Sequence, residues 1–418
     1  MRIAMIGIRG VPANYGGLEE CAEQVGSRLV QRGHEVLVYC RTGTWDDHAP
    51  EYKGMRRIVL PRVKGKLTDT YSHTLLGMLH LLRQKPDVVL AFNPGIASLC
   101  AIPKLFGYPV ALNPNGFDWR REKWGWLARH FIHGSARLCT KLVDQMIIDA
   151  VTVKDYYNDA FRCDPPAVYI PNGGPVEPAE ASDIPEEQTA AILSQYGVEK
   201  QKYILFLSRH EPENSCEFIL EAFQGLDTDV KLLFGGGTGY RSPYAESLRR
   251  FQDPRILLPG PIYEKSHVKA LHHNCYFLVH GNQPGGTSLG LLKALGWGTC
   301  VLTLDTPDNA YAVQDAGCLY DLSVDDLRAK MRGLLDDPAL VARKRKQAIV
   351  RATEEYLWDV VTDKYEEVLQ RLAASRRSPV RRSAEPRPVL RVDGCQTAGG
   401  RLAPALVPTG ADSRHERR

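Results

Sequence analysis

Residues 1–20, MRIAMIGIRGVPANYGGLEE, decide the fold. Arg2–Gly7 is an apolar run without polar alternation, the pattern of a strand covered on both faces of a parallel sheet. A turn follows, Gly7-Ile8-Arg9-Gly10-Val11-Pro12-Ala13-Asn14-Tyr15-Gly16-Gly17-Leu18-Glu19, and Leu18–Arg32 then has the spacing of an amphipathic helix. Strand, glycine-bearing turn and helix in that order open a Rossmann-type unit, whose helix start offers free N–H groups to an anion. Gly16 and Gly17 let the backbone approach a ligand closely. The turn is not the GxGxxG dinucleotide fingerprint, because it is longer and its glycines are spaced differently. A turn of purely structural duty is the alternative, but its length after a first strand favours ligand binding.

Outward from this unit the pattern repeats. Apolar runs recur at Glu35–Tyr39, Arg57–Leu60, Asp87–Phe92, Pro109–Asn113, Gln145–Val151 and Val168–Pro171, with helical segments such as Ser72–Arg83 between them. Residues 172–200 break the alternation with Pro, Glu and Ala and read as a linker leading into one helix. A second series follows at Tyr203–Leu207, Val230–Phe234, Ile256–Leu258, Cys275–His280 and Cys300–Leu304. The expected fold class is therefore α/β, two Rossmann-like doubly wound domains facing each other across a cleft. The boundaries are 1–175, a linker 176–200, and 201–345. From Val324 to about Leu372 the spacing is helical, with Tyr356, Trp358, Val361, Tyr365 and Val368 on one apolar face. Residues 375–418, rich in Ser, Pro, Arg and Gly, are expected to be a disordered basic tail.

At 418 residues the chain exceeds one compact core. Its net charge of +4 is uneven: Arg376 to Arg418 holds ten Arg against four acids, so the body carries −2. A body without net positive charge gives no case for nucleic acid. Ten cysteines, none in a CxxC pair and several inside apolar runs, read as reduced thiols rather than a disulfide frame or zinc site. The N-terminus enters a strand pattern without a signal-peptide apolar region, and no run reaches the ~18 apolar residues of a membrane span. A cytoplasmic protein is expected.

Two more clusters stand at strand ends. Ser208-Arg209-His210-Glu211-Pro212-Glu213-Asn214-Ser215 follows a buried strand, where an arginine suits a diphosphate. His280-Gly281-Asn282-Gln283-Pro284-Gly285-Gly286-Thr287-Ser288 also lies between strand and helix, and its glycines and hydroxyl suit an anion. None of the three clusters contains a DxD-like carboxylate pair to hold a divalent metal. Asn115, Asp118 and Trp119 follow the strand Pro109–Asn113, and His73 follows a Thr-Asp-Thr-Tyr-Ser run. Asp118 and His73 are the candidate catalytic residues, each equally readable as a helix-cap residue.

On the segments GIRGVPANYGGLEE, KGKLTDTYSHTLL, NGFDWRREKWG, YIPNGG, LFLSRHEPENS and HGNQPGGTSLGLLKALG, in order from residue 7 to 296, the chain resembles the family-4 retaining glycosyltransferases. It is most similar to their bacterial rhamnosyltransferase-like branch. The resemblance implies a GT-B fold, with an acceptor-side domain before the linker, a nucleotide-sugar-binding domain after it, and a helix over 346–374 crossing back to the first. It implies transfer of rhamnose or another hexose from a nucleoside-diphosphate sugar to a cell-surface glycan or lipid-linked acceptor, with no bound metal and no other cofactor. Gly16 and Gly17 match the glycine loop beside the donor phosphates, and Arg209 the diphosphate-binding arginine. Asn214 stands where many members carry Lys, and Gly285, Gly286 and Thr287 match the segment flanking phosphate and ribose. Lys293 departs from the family: it replaces a Glu bound to the ribose, and an ammonium cannot accept the hydroxyl hydrogen bonds that a carboxylate accepts. The downstream NREV-like stretch is also altered, to Asn309-Ala310-Tyr311-Ala312-Val313.

These departures keep a second reading open, a degenerate member that binds nucleotide or glycan and partners an active transferase. One further segment, Trp119 to Lys141, mixes Arg and Lys with Trp124, Trp126, Leu127, Phe131 and Ile132. It fits peripheral contact with an anionic membrane, at the inner face of the plasma membrane. It fits equally a helix that packs its aromatics on the sheet and leaves a solvated basic face.

Overall fold

The computed structural model describes residues 1–377 except 14–15, 45–48, 66–67, 115, 118, 120–124, 239–241 and 284–285. The tail beyond 377 lies outside the described residues.

The first half runs β1 (Arg2–Ile6), α1 (Gly17–Gln31), β2 (Glu35–Arg41), β3 (Glu51–Tyr52), β4 (Met55–Leu60), α2 (Thr68–Gln84), β5 (Val88–Phe92), α3 (Ala101–Leu105), β6 (Val110–Asn113), α4 (Trp126–Leu142), β7 (Gln145–Ile148), α5 (Val151–Asp159) and β8 (Val168–Tyr169). Its sheet has the order β3-β4-β2-β1-β5-β6-β7-β8 and is parallel except for the short edge strand β3. After the linker helix α6 (Glu186–Gln195) come β9 (Tyr203–Leu207), α7 (Cys216–Gln224), β10 (Lys231–Gly235), α8 (Pro243–Ser247), β11 (Ile256–Leu257), α9 (Lys265–Asn274), β12 (Phe277–His280) and α10 (Leu289–Gly296). The chain continues through β13 (Val301–Leu304), α11 (Pro307–Val313), β14 (Gly317–Tyr320), α12 (Val324–Asp336), α13 (Pro338–Arg351) and α14 (Trp358–Arg377). The second sheet is parallel, in the order β11-β10-β9-β12-β13-β14. Strand order thus reverses beside β1 in one sheet and beside β9 in the other, and each reversal opens a crevice at the carboxyl ends of the strands.

The two-sided burial of the strands follows from their alternation. Ile3 and Met5 of β1 pack with α1 and α14, whereas Ala4 and Ile6 pack with the layer of α2 and α4. In β9, Ile204 and Phe206 face α7 and α12, and Tyr203 and Leu205 face α9 and α10. The nine described cysteines are free thiols, eight of them buried.

The apolar face expected to be continuous from Tyr356 to Val368 is divided. Tyr356 is buried in the second half with α10 and α13, while Trp358, Val361 and Tyr365 are buried against β1 and β5 of the first. A π-helical turn at Ala352–Tyr356 and an extended Leu357 (φ −61°, ψ 131°) make the break. The crossing helix therefore starts at Trp358 rather than near 346. It also runs to Arg377, three residues past the expected limit at 374. Arg376 holds its end, donating to the Pro86 carbonyl at 2.6 Å and lying 4.0 Å from the Tyr108 ring centroid.

Candidate functional site

On the first sheet the turn after β1 is braced by acids of the helix it leads into. Glu19 Oε1 accepts the Arg9 N–H at 3.2 Å, and Glu23 Oε2 accepts the Ala13 N–H at 2.7 Å. Gly16 has φ +108°, and Gly17 begins α1, so the helix N-terminus opens toward the crevice. At the end of β2 the buried Arg41 guanidinium donates to Asp69 at 3.3 Å and Thr70 at 3.0 Å, and Arg62 shares the same carboxylate. Burial pulls the Arg41 pKa below its ordinary value against the pull of Asp69.

The structure encloses His73, the candidate catalytic histidine. Its ring is wholly buried, and Nε2 lies 3.0 Å from the Cys40 carbonyl. Burial lowers its pKa to about 4, so at neutral pH it is an uncharged tie between α2 and β2. Asp118 and Asn115 lie outside the described residues.

On the second sheet two loops meet at the reversal between β9 and β12. Ser215 Oγ donates to the Gly281 carbonyl at 2.9 Å, and the Gln283 N–H donates to the Glu213 carbonyl at 2.8 Å. Arg209 is exposed between them, its Nη2 held 2.6 Å from Glu213 Oε1. Among the described residues its guanidinium is tied to that exposed carboxylate alone, and such a pair exchanges partners at little cost. Asn214 is different: it is buried, and its Nδ2 donates to the Arg209 carbonyl at 2.8 Å. It shapes the loop that carries Arg209 and presents its backbone rather than its side chain. Gly286 has φ +141° with open space where a Cβ would stand, and Gly285 lies outside the described residues.

The two crevices face each other. Gly17 meets Leu289, so that a Cβ on Gly17 would lie 3.2 Å from Leu289 Cδ1, and the starts of α1 and α10 are opposed. Thr287 Oγ1 donates to the Asp149 carbonyl at 3.3 Å. Asp308 accepts from both the N–H and the hydroxyl of Thr152, at 3.1 and 2.6 Å. Lys293, one turn into α10, reaches across the cleft: its Nζ is 3.5 Å from Glu20 Oε2 on α1. Lys293 thus has a carboxylate beside it, supplied by the facing half.

Two of these features went unread in the sequence. Glu20 had no local signal, since its partner lies in the other half. Gly235-Gly236-Gly237, at the end of β10, was legible as a glycine run after an apolar strand. Gly236 has φ +145°, and a Cβ there would fall 1.8 Å from the Ser208 carbonyl oxygen, so only glycine lets this loop lie against the Arg209 loop. Among the described residues no group of three His, Cys, Asp or Glu converges to hold a metal.

Residues 16–173 match the family model of the glycosyl transferase 4-like domain, and residues 201–337 that of the glycosyl transferases group 1. No curated protein matches the sequence. The fold is similar to that of sucrose-phosphate synthase from Thermosynechococcus elongatus, with a TM-score of 0.72 and 16% identity over 90% of this chain and 99% of that one. It is also similar to Anabaena HepE in complex with UDP and glucose, with a TM-score of 0.70 and 15% identity over 89% of this chain and 100% of that one. WaaG, a glycosyltransferase involved in lipopolysaccharide biosynthesis, gives a TM-score of 0.65 at 18% identity, over 88% and 99%.

Proposed function

Because this chain is a glycosyltransferase of the GT-B type, joining a glycosyl transferase 4-like domain to a group 1 domain, we propose that it moves a hexose, rhamnose or a relative of it, from a nucleoside-diphosphate sugar to a cell-surface glycan or lipid-linked acceptor. The transfer proceeds with retention and without a bound metal. The observation that carries this reading is the convergence of the Arg209 loop, the Gly286–Thr287 segment and the start of α1 on one cleft. Charge that develops on a leaving diphosphate is stabilised by donors fixed in advance. Arg209, released from Glu213, and the backbone N–H groups of these loops are such donors, and their presence removes the need for a divalent cation. HepE, solved with UDP-glucose, supports a nucleotide sugar as donor. In this reading the acceptor binds on the side of the first half, a choice supported by Arg41, Arg62 and Asp69 at the strand ends.

Calorimetry of nucleoside diphosphates, with and without EDTA, tests the donor. Micromolar binding that survives EDTA is expected. Loss of affinity in EDTA overturns the metal-free transfer, and no binding of any nucleotide overturns the donor assignment.

Lys293 favours a second reading, a nucleotide- or glycan-binding member without turnover. Under it nucleotide sugars bind, yet donor consumption stays at the background rate with every acceptor extract.

A further inference from the structure

We infer that the outer face of α2, α3 and α4 docks on an anionic phospholipid bilayer. Both α2 and α4 pack on the 3₁₀ segment Pro94–Cys100 that leads into α3, so the three helices form one layer over the first sheet. Among the described residues, twelve of the seventeen exposed large apolar side chains fall between Val59 and Leu138, within or beside this layer. Leu79 of α2 is 50% exposed, Leu105 and Phe106 at the end of α3 are 83% and 63%, and Leu127 and Phe131 of α4 are 72% and 49%. On α4 the buried residues are Ile132, Ala136, Cys139 and Thr140. The large apolar groups Leu127 and Phe131 are on the outside, beside the exposed Arg137 and Lys141. A helix that packed its aromatics inward would show the reverse.

Charge separates a bilayer from other occupants. Residues 59–142 hold twelve Lys and Arg against four acids, a net of +8 in a chain whose total is +4. A second copy docking face to face would bring two such segments together and be repelled. An anionic headgroup layer offers opposite charge to the basic rim and an apolar interior to the side chains between. Long basic side chains beside Trp and Phe suit the headgroup level, where both ends of each group are satisfied. The inference goes beyond the proposed transfer and does not depend on it, although a lipid-linked acceptor would be met on this surface.

Co-sedimentation of the full chain with phosphatidylcholine vesicles, with and without phosphatidylglycerol, is the test. Binding is expected only with phosphatidylglycerol, and to weaken as salt rises. Leu127→Ser with Phe131→Ser, and separately Arg137→Gln with Lys141→Gln, are expected to weaken it roughly tenfold. All four side chains are exposed, so melting temperature and nucleoside-diphosphate affinity should be unchanged, which keeps this result separate from the donor test. No binding to anionic vesicles overturns the inference. Equal binding by both variant pairs also overturns it, by assigning attachment to the basic tail, and so does a dimer in solution whose formation these substitutions abolish.

Discussion

Lys293 and Arg209 show how a side chain's partner changes what its type implies. Arg209 is 63% exposed and held by Glu213, itself 52% exposed, so its removal leaves the fold without an orphaned charge in the core. Arg209→Ala should keep the wild-type melting temperature and lose nucleoside-diphosphate affinity by roughly ten- to a hundredfold, the worth of a charge-assisted phosphate contact. Unchanged affinity by calorimetry would remove Arg209 from the site. Lys293 sits between the two halves, about one third exposed, 3.5 Å from Glu20. Such a half-solvated pair is worth ~0.5–1 kcal/mol. Lys293→Glu sets like charges across the cleft and should weaken nucleotide binding about two- to fivefold, less at high salt. Combining it with Glu20→Lys should recover most of the loss, as a double-mutant cycle would measure. Stronger binding in the single variant would instead favour the degenerate reading, in which the lost ribose carboxylate is what limits affinity.

At the scale of elements, the crossing of α14 joins the halves. Trp358, its first residue, is buried, and its indole fills the space over Gly173, where a Cβ would lie 2.4 Å from Cδ2. The Gly174 N–H donates to the Tyr356 carbonyl at 2.8 Å, and the Glu177 N–H donates to the Gly296 carbonyl at 2.8 Å, so the linker is stitched to the second half just before the crossing. Trp358→Ala should cost ~3–5 kcal/mol in denaturant unfolding, because the cavity is bounded by backbone on one side and cannot collapse. A loss under ~1 kcal/mol would mean that α14 is only loosely docked. Two neighbouring apolar residues, Tyr356 and Trp358, thus serve different cores. A periodicity argument assigns them to one face because it assumes an unbroken helix, and the turn at Leu357 voids that assumption.

For the whole molecule, buried histidines set the response to acid. Burial lowers the pKa of both His73 and His280 to about 4, against about 6.5 in an unfolded chain. The unfolded state therefore binds more protons between these values. The stabilisation is full above about pH 6.5 and is lost as the pH falls toward 4, by ~1–3 kcal/mol for each histidine. Urea midpoints followed from pH 7 to 4 should fall across that window, and a flat profile would show that the two rings are charged or exposed. The tail is expected to contribute nothing to this balance. Truncation after Arg377, which spares the Arg376 contacts, should leave the melting temperature nearly unchanged, since a segment so poor in apolar residues cannot offset its ordering entropy. A drop of many degrees would place the tail against the body.

Most of the order of elements, the parallel character of both sheets apart from β3, and the glycine-bearing loops at their strand ends were legible in the sequence, whereas the edge strands β3 and β14 were not. Each is a local matter: whether a strand is apolar throughout, or where a glycine follows it, depends on residues close together in the chain. The tertiary structure alone decided the partners. Nothing near Lys293 in the chain announces Glu20, because the pair exists only once α10 of one half faces α1 of the other. His73 was equally readable in the sequence as a catalytic or a helix-cap residue, and only the packing of α2 on β2 encloses it. The apolar residues of α4 pointed to both faces, and contact with the Pro94–Cys100 segment chose Ile132, Ala136 and Cys139 for the core and left Leu127 and Phe131 outside. Local pattern fixes what an element is, whereas burial and pairing are properties of the surface it meets, and that surface is assembled from residues distant in the chain.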